Sequence, residues 1–163
     1  LDGTRVMLNT SIFSLSAGGT IATTPGQAMS LSGDGNWWVT AQWSGSGATY
    51  TLRNVNTGAS QTMSTALGAY YGLEADTSDD GRYTVLSLND VAGVAADTNT
   101  KLDIYVYDRI TQTKRLVSSG QAAFHSGVPA ISGNGSTVVW LEDVTGNGHP
   151  SEGRLFVRKN PFF

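Results

Sequence analysis

The sequence predicts an all-β chain assembled from tandem copies of one four-stranded antiparallel unit, and three observations carry that prediction. A turn signature, Ser-x-Asp/Asn-Gly, occurs at Ser32–Gly35, Ser78–Gly81 and Ser132–Gly135, each time just before an aromatic or β-branched run. The spacing downstream repeats to the residue: Ser64 to Ser78 and Ser118 to Ser132 are both 14 positions. No window sustains apolar residues at i, i+3, i+4 and i+7, which an amphipathic helix requires. Self-similarity at a period of tens of residues marks a repeat architecture.

Taken in order, the two strands joined by the Ser turn are a and b. Strand b runs through Trp37 to Trp43, Tyr83 to Leu88 and Thr137 to Leu141. A third strand, c, follows at Tyr50 to Asn54, Ile104 to Asp108 and Leu155 to Lys159. In the first two copies it leads into Asn54-Val55-Asn56-Thr57-Gly58 and Asp108-Arg109-Ile110-Thr111-Gln112, where the leading Asn or Asp closes an Asx turn. Strand d then occupies Ser60 to Ser64 and Lys114 to Ser118. Near the start, Arg5 to Asn9 resembles a strand c and Gly19 to Thr23 a strand d, so the expected order is c-d, a-b-c-d, a-b-c-d, a-b-c. The whole chain reads as one repeat region, with a partial unit at 1–28, repeats at 29–64 and 75–118, and an incomplete repeat at 129–163.

The copies differ in one place. Gly35 to Tyr50 is 15 positions, Gly81 to Ile104 is 23 and Gly135 to Leu155 is 20, so the length variation lies in the b–c loop. Variable loops on a constant scaffold are where binding usually resides.

Composition narrows the classes. Cysteine is absent, which excludes disulfides, thiolate metal sites and a cysteine nucleophile. Charged residues make up only 14% while Gly reaches 20 residues, a balance that points to an exported protein at the cell surface, secreted or periplasmic. The ten Lys and Arg are scattered and the net charge is -3, so no nucleic-acid footprint is expected. No apolar run reaches the roughly 20 residues that span a bilayer. The start at Leu1, without Met or signal peptide, suggests a processed or excised form. Eight of the 13 acidic residues fall between positions 74 and 108, so one repeat is acidic and its neighbours are not.

The segment Asp97-Thr98-Asn99-Thr100-Lys101-Leu102-Asp103-Ile104-Tyr105-Val106-Tyr107-Asp108, with Thr111, Leu116-Val117-Ser118 and the preceding Ser78-Asp79-Asp80-Gly81-Arg82-Tyr83, resembles a TolB-like, WD40-like (PD40) β-propeller repeat. Gln112 stands where that pattern has Gly; Thr49, Arg154 and Lys159 replace its acidic positions in the other copies. The resemblance covers most of residues 25 to 160 and implies blades of a propeller, a fold that hosts interaction domains, peptidase lids and surface proteins alike. It also implies about three and a half blades here, fewer than the usual minimum of about four, so that the chain is a piece of a longer propeller, or is completed by a protein partner or further copies, or packs its sheets differently.

In such a propeller the b–c and d–a loops emerge on one face. They would gather Asp90, Asp97, Asn99, Glu142, Asp143, Asn147, His149 and Glu152 with Tyr70, Tyr71 and His125. The candidate ligand-binding set is Tyr70, Tyr71, Asp90, Asp97, Asn99, His125, Asp143 and His149. Asp97, Asn99 and Asp103 offer closely spaced oxygens of the kind Ca²⁺ takes, although no EF-hand is present and solvated turn carboxylates are the commoner explanation. No cofactor is expected. Neither a Gly-x-Ser-x-Gly elbow nor a His-Glu-x-x-His pair occurs, so no catalytic residue is expected. Trp37, Trp38, Trp43 and Trp140 all sit on b strands and are expected to pack neighbouring blades. The same packing should bury Tyr83, Val85, Leu86, Ile104, Val106, Val138, Val139 and Leu155. Function is expected to be non-catalytic binding or scaffolding through the loop face, or the accessory propeller of a larger hydrolase such as a prolyl-oligopeptidase-like peptidase.

Overall fold

The computed structural model describes residues 4–45, 47–67, 74–89, 94–119, 124–143, 145–146 and 153–163, and among them every regular element is a strand. The first sheet contains β1 (Arg5–Leu8), β2 (Ser11–Ser14) and β3 (Gly19–Thr23). The second contains β4 (Gln27–Leu31), β5 (Trp37–Ser44), β6 (Gly47–Asn54) and β7 (Ser60–Leu67). The third contains β8 (Ala75–Thr77), β9 (Tyr83–Leu88), β10 (Asp103–Asp108) and β11 (Thr113–Leu116). The fourth contains β12 (Ser126–Ile131), β13 (Thr137–Glu142) and β14 (Arg154–Lys159). Each sheet is an antiparallel meander whose spatial order follows the sequence.

The Ser turn explains its own signature. In each copy the Ser hydroxyl donates to the Asp or Asn two residues on and accepts the first amide of strand b. The pairs are Ser32 with Asp34 and Trp37 (2.6 and 2.9 Å), Ser78 with Asp80 and Tyr83 (2.8 and 3.0 Å), and Ser132 with Asn134 and Thr137 (2.8 and 3.0 Å). The Gly that follows takes φ of +70°, +65° and +76° at Gly35, Gly81 and Gly135, a region a Cβ disfavours.

Those glycines also join consecutive sheets. A Cβ on Gly81 would lie 2.5 Å from the Trp37 ring, and one on Gly135 would lie 2.4 Å from Tyr83. Thus the first large residue of strand b packs on the turn of the next sheet. Arg109 reinforces this contact, lying 4.1 Å over Trp37 while donating to the Gly81 carbonyl at 3.1 Å. On the inner strands, Asp76 accepts from Ser30 of the second sheet (3.3 Å) and from the Ile131 amide of the fourth (3.0 Å).

Apolar cores fill the junctions. Val39, Tyr50 and Leu52 of the second sheet meet Leu86, Leu88 and Tyr105 of the third. Val85, Ile104 and Val106 on the other face of the third sheet meet Val138 and Trp140 of the fourth. Ile12 of the first sheet meets Trp38 and Val55.

Three expectations are corrected. Arg5–Leu8 is not a third strand: the Leu15 amide after β2 bonds to the Thr4 carbonyl as Val55 bonds to Asn36, so β1, β2 and β3 take the b, c and d places. Leu155 is 62% exposed and Val139 half-buried, because no other described sheet covers their face of the fourth sheet. Trp43 is 44% exposed, in the exposed last three residues of β5; Trp38 and Trp140 are buried and Trp37 is half-buried. The remaining residues of the expected core are buried.

Candidate functional site

The b–c and d–a loops meet at one end of the sheets because the backbone links them. The Ser126 amide donates to the Leu102 carbonyl (2.7 Å), the Asp143 amide to the His125 carbonyl (2.8 Å), and the Leu102 amide to His125 Nδ1 (3.0 Å). His125 is therefore an acceptor on Nδ1. Burial holds its pKa below 6.5, and the nearby Lys101 charge adds to that shift against the opposing pull of Asp143 and Asp103. Glu142 beside it titrates above the ordinary carboxylate value, through burial first and the charge of Asp103 second.

The long β9–β10 loop is organised by its own polar side chains. Asn89 donates to the Thr100 carbonyl at 3.0 Å and draws the ends of the loop together. Asp97, almost fully buried, accepts from the Tyr105 hydroxyl and from the Asn99 amide, and the Asn99 side chain donates to Asp103 at 2.9 Å. Asp103, also buried, accepts from the Ser118 hydroxyl, whose oxygen in turn accepts the Ile104 amide at 3.0 Å. In the β13–β14 loop, Asp143 Oδ1 accepts from the Thr145 amide and hydroxyl (both 2.8 Å) and from the Gly146 amide (2.9 Å).

Asp97, Asn99 and Asp103, the residues suggested for calcium, are thus brought together, and their side-chain oxygens accept hydrogen bonds from the protein. A cation at this place would have to displace those donors. Among the described residues no group of three or more His, Cys, Asp or Glu side chains is arranged to hold a metal. His125 and Asp143 lie in adjoining loops joined by a backbone bond. Tyr70, Tyr71, Asp90, Asn147, His149 and Glu152 fall outside the described residues. Sequence reasoning missed Tyr105 and Ser118, which donate to the buried Asp97 and Asp103; alternation along β10 places Tyr105 on the opposite face from Ile104 and was the available signal.

Solved structures show what this arrangement resembles. Similarity is found to TolB from Acinetobacter baumannii (TM-score 0.63, 16% identity), covering 98% of this chain and 41% of that one. The tricorn protease matches with a TM-score of 0.59 and 14% identity over 81% of this chain and 13% of that one. A prolyl endopeptidase matches at 0.53 and 14% over 82% and 23%. The fold is that of a TolB-like, WD40-like β-propeller. This chain spans less than half the length of each of these three structures. No protein-family profile and no curated protein sequence matches it. Its propeller sheets carry no described helix long and apolar enough to cross a membrane.

Proposed function

We propose that this propeller segment is a non-catalytic binding or scaffold module of an exported bacterial protein, recognising a protein or surface ligand through its b–c and d–a loop face. The observation that carries this reading is the contrast between a constant scaffold and variable loops. The Ser turns are built alike in three sheets, whereas the b–c connection is short between β5 and β6 and long between β9 and β10. The polar groups at this end support a binding role, because they hold loops in shape: His125 Nδ1 accepts a backbone amide, and Asp143 Oδ1 is engaged by Thr145 and Gly146. On this reading no metal is used, and millimolar CaCl₂ leaves the unfolding temperature unchanged; a ligand that binds the native state at 100 times its Kd would add about 2.7 kcal/mol.

The test compares the two ends of the sheets. Replacing residues 90–101 by the short β5–β6 turn should abolish capture of secreted or periplasmic proteins, while Asn56→Ala at the opposite end should leave it intact. Equal capture by both variants overturns the assignment of the face. The likeness to the tricorn protease and a prolyl endopeptidase favours a second reading, an accessory propeller of a larger hydrolase. An α/β-hydrolase region in the same reading frame would select it.

A further inference from the structure

His125 stands where the connections of the loop face meet. Its Nδ1 accepts the Leu102 amide at the end of the β9–β10 loop (3.0 Å), and its carbonyl accepts the Asp143 amide after β13 (2.8 Å). The Ser126 amide beside it donates back to the Leu102 carbonyl (2.7 Å). Leu102 is thereby held through both its amide and its carbonyl, and its side chain is buried in the core between the second and third sheets.

Among these three bonds only the one at Nδ1 can be reversed by a proton. A neutral imidazole keeps one nitrogen free to accept, whereas an imidazolium donates from both. Protonation therefore sets an Nδ1–H against the Leu102 N–H and leaves that amide without a partner in a buried place, which is costly.

Among the described residues, the charged groups around the ring are Lys101 and Asp103 on either side of Leu102, Asp143 after β13, and Glu142, which pairs with Ser126 of β12 and with Arg154 of β14. Burial first and Lys101 second oppose the imidazolium, while Asp143 and Asp103 favour it. Both carboxylates are already engaged, Asp103 by Ser118 and Asn99, and Asp143 by Thr145 and Gly146. The folded value lies below the ordinary 6.5, so the clasp contributes fully above pH 6.5 and is lost as pH falls through the folded value.

We propose that His125 is a proton-operated latch on the β9–β10 loop: the neutral ring holds Leu102 and keeps the loop closed against β12 and β13, and the imidazolium releases it. A ligand held by the closed loop would be let go in mild acid. This rests on the binding role proposed for that face, but the latch is read without any ligand, so its failure leaves the binding role standing.

Amide hydrogen exchange of the whole chain, followed residue by residue by NMR at about pH 7.5 and about pH 5 and corrected for the intrinsic effect of pH, reads the latch. In the wild type, protection of the Leu102 amide should fall about 10-fold or more at the lower pH, while the buried Val106 of β10 keeps its protection. His125→Asn places a non-titrating Oδ1 where Nδ1 accepts and should keep Leu102 protected at both values; His125→Ala should lose the protection at both. Glu142→Gln should retain the wild-type response, which separates the imidazole from its carboxylate neighbour. A drop confined to Leu102 and absent from both His125 variants supports the latch. No drop in the wild type, a drop of the same size in His125→Asn, its disappearance in Glu142→Gln, or an equal loss at Val106 would overturn it.

Discussion

The third and fourth sheets are built on the same turn, with b and c strands of the same length, and yet their c strands live in different surroundings. Every residue of β10 is buried, as is every residue of β9, whereas β14 is exposed at every position except the half-buried Phe156. Ile104 and Val106 are covered because the fourth sheet lies on them; Leu155 and Val157 are likewise aliphatic and have no such neighbour among the described residues. In a stacked repeat, burial is conferred by the adjoining unit and not by the strand that supplies the side chain.

The comparison can be broken most directly by truncation. Ile104→Ala should cost about 2–5 kcal/mol in urea unfolding, the range for a large aliphatic removed from a packed core, while Leu155→Ala should stay within about 0.5 kcal/mol when the chain is dilute enough to be monomeric. Similar losses at both positions would mean that the fourth sheet is covered in the monomer.

Glycine positions give the next largest effect. Gly81→Ala brings a Cβ against Trp37 and holds it at φ +65°, whereas the Cβ of Gly58→Ala meets open space at φ +72°. Thermal unfolding should show a loss of about 2–4 kcal/mol for the first and about 1 kcal/mol for the second. Equal losses would show that the Trp37 ring moves aside without cost, and that the joint between sheets is loose.

Charge separates the two sheets at the end of strand c. Asp108 is pushed upward by burial, but the Arg82 hydrogen bond and the Ile110 amide outweigh this and hold its pKa below 3.8. A depressed carboxylate stabilises the fold above its unfolded value and loses that contribution as pH falls through the folded one. Stability of the wild-type chain should therefore decline below about pH 4, and Asp108→Asn should flatten that acid limb. Lys159→Gln, at the same place in the fourth sheet, should not. An unchanged acid limb in Asp108→Asn would remove the Arg82–Asp108 clasp from the account of the third sheet.

The smallest effect concerns a turn that departs from its counterparts. Gln112 takes φ +54° where Gly18 and Gly58 take +68° and +72°. Its exposed side chain holds the left-handed region at a cost, so Gln112→Gly should raise stability by about 0.5–1 kcal/mol, a shift of about 2 °C in unfolding temperature. A lower unfolding temperature would mean that the glutamine side chain stabilises the turn.

The local chemistry of the chain determined its strands and turns. Ser-x-Asp/Asn-Gly could be read as a turn because one hydroxyl, one carboxylate or amide, and one residue able to take positive φ suffice to build it, all within five positions. The repeat length and the placement of variation in the b–c loop were legible for the same reason. Three things came only from the tertiary structure. The position of Arg5–Leu8 depends on a partner strand a few residues away, which a short apolar run does not specify. The exposure of Leu155 depends on whether another sheet lies over it, and the roles of Tyr105 and Ser118 at Asp97 and Asp103 depend on loop closure across β10. A periodic sequence encodes each face of a sheet, but coverage of that face is a property of its neighbour, and hydrophobic burial follows the neighbour.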